Sequence, residues 1–147
     1  MISFSKKDNL FKMEIQGSEL PDENELHRLQ LKISVARDEH SHQINQIDMF
    51  TVELMPLKDF FEKMILTESP ETDSMDFFES HLIFQYKKLA TGMIELSILI
   101  GKKYFPDDWP YINGENLAMN MQYILDADQV KETIRQLDFW IADYAHL

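Results

Sequence analysis

The sequence predicts an α+β fold: a mostly antiparallel, curved β-sheet or two-layer sheet of about six to eight strands, with one central helix and one C-terminal helix packed on it. Three observations lead there. In "FFESHLIFQYKKLATGMIELSILIGKK" (77–103), Leu82, Phe84 and Tyr86 alternate with polar residues, and after a turn Ile94, Leu96, Ile98 and Ile100 do the same. Period-2 alternation marks strands with one buried face. Two other segments, near 56–66 and 126–144, carry apolar residues at 3- and 4-residue spacing instead. Finally, the strand-like runs follow one another through short turns without alternating βαβ units, which favours antiparallel pairing.

In chain order, strands are expected near Ile2–Phe4 and across Leu10–Gln16, where Phe11, Met13 and Ile15 alternate. A longer one spans Glu25–Val35, with Leu29, Leu31, Ile33 and Val35 on one side. "RDEHSHQ" (37–43) turns the chain into a strand over Gln43–Phe50, where Ile44 and Ile47 differ in parity, the signature of a bulge or a weak edge. "PLKDFFEKMIL" reads as a helix through Leu57, Phe60, Phe61 and Met64, starting at Pro56 or, with a threonine cap, at Thr51. The hairpin from Phe78 to Ile100 follows, then the long connection "KKYFPDDWPYING" and a strand over Asn116–Leu125. The closing helix has Asp126 as N-cap, Gln129 at the capping-box position and a stripe of Val130, Ile134, Leu137, Ile141 and Tyr144. "ELPDENE" (19–25) and "TESPETDSMD" (67–76) are acidic loops too short to divide 147 residues into more than a single domain, 1–147.

The charge excludes several roles. With 26 acids against 14 Lys and Arg, the net charge is −12, which repels a phosphate backbone and an anionic membrane alike. No nucleic acid or membrane partner is expected. A basic protein fits, because an acidic face steers it into contact; the simpler role of the charge is solubility through self-repulsion. The absence of cysteine and of a signal-like N-terminus suits the cytoplasm.

Chemistry is sparse. His40 and His42, at i and i+2, would face the same way in a strand, yet they fall in the expected hairpin turn beside Asp38 and Glu39, no third metal ligand is firmly placed, and a hydrophilic turn explains them more simply. The four glycines form no phosphate-cradling loop, and no catalytic residue, metal or cofactor is expected. The segment "YFPDDWPY" (104–111) is the best local candidate for function. Trp109 and Tyr111 suit an interface anchor and Asp107 and Asp108 suit Lys or Arg on a partner. The alternative, and the simpler reading, is that Phe105 and Trp109 plug one end of the sheet. Glu71 and Asp73 in the 67–76 segment are the second acidic candidate.

The pattern Phe77-x-Glu79-x-x-Leu82-x-Phe84-x-Tyr86, preceded by an amphipathic helix and an acidic loop, resembles the middle of the WapI-type immunity proteins. "LQLKISV" upstream, "IELSILI" downstream and the C-terminal helix fall in that family's order. Ser80 and His81 stand where the family has Pro and Asn, and the chain ends "DYAHL" in place of an Arg-containing Pro motif. The resemblance implies a non-enzymatic cytoplasmic antidote that occludes the basic, often nuclease, domain of a secreted toxin. Two other functions remain open. One is a ligand-binding or enzymatic domain whose pocket is lined by the apolar faces of 78–86 and 117–123; the other is a secretion chaperone, although that class usually opens with a helix. An uncovered edge at 43–50 would let two copies of the chain pair as a homodimer.

Overall fold

The alternating segments close into two sheets that share one core. The computed structural model describes residues 1–19, 26–78, 80–113 and 118–147, with Asn113 through its backbone alone. Most of the acidic loop expected at 19–25, the expected strand start at Glu25, Glu79 and residues 116–117 of the expected late strand lie outside the described residues. The first sheet runs β1 (Ile2–Lys6), β2 (Asn9–Glu19), β3 (Arg28–Arg37), β4 (His40–Ile44), and β5 (Asp48–Phe50) also pairs with β3. The second contains β6 (Thr72–Asp76), β7 (Leu82–Lys88) and β8 (Ile94–Gly101), continued by β10 (Ala118–Leu125) and then β9 (Ile112–Asn113). Every pairing is antiparallel. Two helices complete this α+β fold: α1 (Leu54–Leu66) between the sheets in sequence and α2 (Ala127–Tyr144) at the end.

The alternating residues face the shared core. Leu29, Leu31, Ile33 and Val35 of β3, and Ile94, Leu96, Ile98 and Ile100 of β8, are all essentially inaccessible. The sheets meet edge-to-face where Phe11 lies 6.0 Å from Phe84, and α1 enters the same cluster through Phe61, 6.2 Å from both Phe84 and Phe4. Tyr123 of β10 packs 5.8 Å from Phe4 and donates its hydroxyl to Asn9 Oδ1 at 2.6 Å. Among the described residues no helix is long and apolar enough to cross a membrane.

Ten strands among the described residues exceed the expected number, and the excess has local causes. The 43–50 strand is two pieces. The chain leaves the ladder at 45–46 and Leu31 donates to the Ile47 carbonyl at 3.0 Å, so Ile44 and Ile47 are both buried despite their parity. Residues 72–76, expected as loop, form β6, whose side chains are mostly exposed and so show no apolar alternation. The hairpin strand starts at Leu82 rather than near Phe78, which is 57% exposed; its neighbour Phe77 is the buried one.

Neither expected start of α1 is the observed one. Thr51–Glu53 form a turn of 3-10 helix and α1 begins at Leu54, with Pro56 in its first turn, where a missing N–H costs nothing. Thr51 is not the cap. Instead the Glu53 carboxylate, 2% exposed, accepts from the Phe50 N–H at 2.9 Å and from the Phe78 N–H at 3.0 Å. It joins the end of β5 to the segment entering β7, and a buried carboxylate is tolerated when such charge-assisted bonds satisfy it. At α2 the expected capping box is present, with the Asp126 and Gln129 side chains each accepting the other's backbone N–H at 2.8 Å. Its buried face is Val130, Thr133, Leu137 and Trp140, with Ile134, Ile141 and Tyr144 at the margin.

Burial pushes the phenols of Tyr123 and Tyr86 up from their ordinary value. The sign follows: the fold keeps a proton that an unfolded tyrosine releases near pH 10, so stability falls as pH rises above that point. The urea midpoint is expected to drop between about pH 10 and 12, and the drop should be smaller in Tyr123→Phe. At neutral pH that variant loses about 1 kcal/mol with its hydroxyl bond. An equal alkaline drop in both proteins would remove Tyr123 as its source.

Candidate functional site

The connection from β8 to β9 packs against β4, and this brings together residues that lie far apart in sequence. Its entry is shaped by Gly101. The Gly101 N–H donates to the His81 carbonyl at 2.8 Å, and a Cβ there would stand 2.5 Å from His81 Cβ, so only glycine fits the crossing without a shift. A 3-10 turn over Lys102–Tyr104 follows, and Tyr104 OH accepts the His81 N–H at 3.2 Å. Phe105 and Trp109 then stack with ring centroids 5.2 Å apart, turned back by the Trp109 N–H to Pro106 carbonyl bond.

Under this stack lie the two histidines of β4. His40, His42 and Ile44 share the face that looks into the core, because all lie on one parity of the strand and Ile44 is buried. His42 Nε2 is 2.8 Å from the Tyr104 carbonyl, which can only accept, so that nitrogen carries the proton. Its ring is 5.4 Å from Phe105 and 5.9 Å from Trp109. His40 lies 6.0 Å from Trp109 and 5.4 Å from Tyr111. Tyr111 OH donates to Asp38 Oδ2 at 3.0 Å, sits 3.2 Å from His40 Nδ1, and its ring carries the Arg37 guanidinium at 4.8 Å. Burial, helped by the bond to Asp38, raises the Tyr111 phenol. The β3–β4 turn that supplies Asp38 puts this residue at φ 54, a left-handed conformation that aspartate tolerates.

The two readings of residues 104–111 therefore divide along the segment. Tyr104, Phe105 and Trp109 are buried and plug the end of the two-sheet core, while Asp107 and Asp108 stand exposed between two exposed prolines. Tyr111 is half-buried at the margin. The histidine ring nitrogens face Tyr104 and Tyr111, and among the described residues no group of three or more His, Asp or Glu is placed to hold a metal. Beside the cluster a cleft of about 510 Å³ opens between Lys6, Asn9, Arg37, Tyr111, Asn120 and Gln122. The pocket that the ligand-binding alternative would place between 78–86 and 117–123 is filled instead, since Leu82, Phe84, Tyr86, Met119, Met121 and Tyr123 are core.

Glu71 and Asp73 are not part of this end. Both are exposed at β6, the edge of the second sheet opposite β9. Sequence reasoning missed three features: the strand character of 72–76, the buried Glu53, and Ser80, whose hydroxyl donates to the Asp48 carbonyl at 3.0 Å. Only Glu53 left a signal, a lone carboxylate inside the mainly apolar "MFTVELMPL".

Compared with known proteins, the chain matches no family model and no curated protein. Of the motif that carries the family resemblance, Phe77, Leu82, Phe84 and Tyr86 are buried, so it is chiefly a packing pattern.

Trp109→Ala is expected to cost about 3–5 kcal/mol in urea denaturation, the range for deleting a buried tryptophan. Trp109→Phe keeps the stack and removes an indole N–H that meets no acceptor among the described residues, so it should cost less than about 1.5 kcal/mol. Unchanged stability in the alanine variant would show that the ring does not plug the core.

Proposed function

We propose that this protein is a non-catalytic antidote of the WapI immunity type, which binds the basic domain of a secreted toxin, most simply a nuclease, in the cytoplasm and occludes it. The observation that carries the reading is the placement of Asp107 and Asp108. Two exposed carboxylates project from a segment whose underside is locked by Phe105, Trp109 and His42. A partner would meet charges that are already ordered, so little conformational entropy is lost on binding. The net charge of −12 adds long-range attraction for a toxin that binds phosphates with Lys and Arg.

The test begins with a large secreted protein encoded immediately upstream. Its C-terminal domain, expressed alone, should arrest growth; co-expression with this chain should restore growth and yield a stoichiometric complex on co-purification. No protection and no complex would overturn the reading. Given a complex, Asp107→Asn with Asp108→Asn should slow association severalfold at low salt and converge with the parent at high salt, as expected for exposed rim charges. Unchanged association kinetics would move the binding face from this tip to the Glu71–Asp76 edge.

A further inference from the structure

The edges of the two sheets are finished differently. At β5 two of the outward-facing backbone groups are occupied. Met49 and the Ile47 carbonyl pair inward with β3, which leaves Asp48 and Phe50 facing out. The Asp48 carbonyl accepts from Ser80, and the Phe50 N–H donates to Glu53. That piece of the 43–50 edge is closed to another strand, whether from a second copy or from anything else.

β6 is not closed in this way. The Lys88 N–H donates to the Glu71 carbonyl and the Phe77 N–H to the Leu82 carbonyl, which fixes the pairing parity. Glu71, Asp73, Met75 and Phe77 therefore bond inward, and the amides and carbonyls of Thr72, Ser74 and Asp76 point away from the sheet. The Ser74 N–H is taken locally by Asp73 Oδ1 at 2.8 Å. The Thr72 and Asp76 N–H groups have no partner among the described residues, and all three residues are exposed. An edge left like this is a template for strand addition.

We propose that β6 is a strand-docking edge, which takes an extended segment of a basic protein with Lys or Arg on alternate residues. The open backbone carries the proposal and the charges select the occupant. Asp73 lies on the core-side parity with half-buried Met75, Glu71 shares that parity, and Asp76 lies on the other face. An incoming apolar strand would desolvate Asp73 without a counter-charge. A second β6 would lay Glu71, Asp73 and Asp76 beside a strand with the same three carboxylates and no Lys or Arg, and like charges gathered across a strand pair are unfavourable. A cationic strand satisfies both the edge and the carboxylates. The choice of a basic protein as occupant rests on the function proposed above; the open edge does not.

The test is amide hydrogen exchange by NMR with a capped nine-residue peptide alternating Val and Lys. At saturation, exchange at Thr72 and Asp76 should slow at least tenfold. The same peptide N-methylated on alternate residues keeps the charge but cannot form the ladder, and should give no such slowing; a Val/Glu peptide should not bind. Unchanged exchange at Thr72 and Asp76 with the Val/Lys peptide overturns the proposal, as does equal protection by the N-methylated one. Slowing that appears at Ser41 and Gln43 of β4 instead overturns it too. A protecting peptide with no toxin partner would sink the antidote reading and leave the edge. A toxin complex with no peptide protection would do the reverse.

Discussion

The whole architecture depends on one shared apolar interior, in which Phe11 and Phe4 of the first sheet meet Phe84 of the second and Phe61 of α1. Neither sheet could bury its alternating face alone. Each side chain in that contact removes aromatic area from water on behalf of two elements at once. A core enclosed by two sheets has ends as well as faces, and the ends must also be shut. The β8–β9 connection shuts one of them with Phe105 and Trp109, over histidines that a strand would otherwise leave at the margin. The rigidity assigned to Asp107 and Asp108 is thus a consequence of core closure.

Most of the fold was legible because burial imposes period 2 on strands and 3.6 on helices. Leu29 to Val35, Ile94 to Ile100 and the Asp126–Gln129 capping box were read from residue types that have few alternatives. The failures have equally physical causes. β6 is an exposed edge with one half-buried residue, Met75, so no apolar rhythm existed to find. The division into two sheets is set by pairings across the chain, which local alternation does not encode. Phe78 and Phe77 could not be told apart, because a single turn decides which of two adjacent rings enters the core.

The candidate site was legible in its parts but not as an assembly. The aromatic and acidic segment and the His40–His42 pair were each visible, and each had a bland reading of its own. Their contact, with Tyr111 between Asp38, His40 and Arg37, depends on β4 lying beside the β8–β9 connection across 60 residues or more of intervening chain. The candidate acidic residues then fall in two separate places, the loop tip that leads into β9 and the β6 edge, and β6 and β9 are the opposite edges of the second sheet. On the proposed reading a partner would have two places to engage: one through charge, one through backbone.

Phe105 and Trp109, buried beneath Asp107 and Asp108, should hold the acidic tip in place. Backbone order parameters of Asp107 and Asp108, from ¹⁵N relaxation, test that claim without knowledge of any partner. Values near about 0.85, equal to those of β8, are predicted; values below about 0.6 would contradict it.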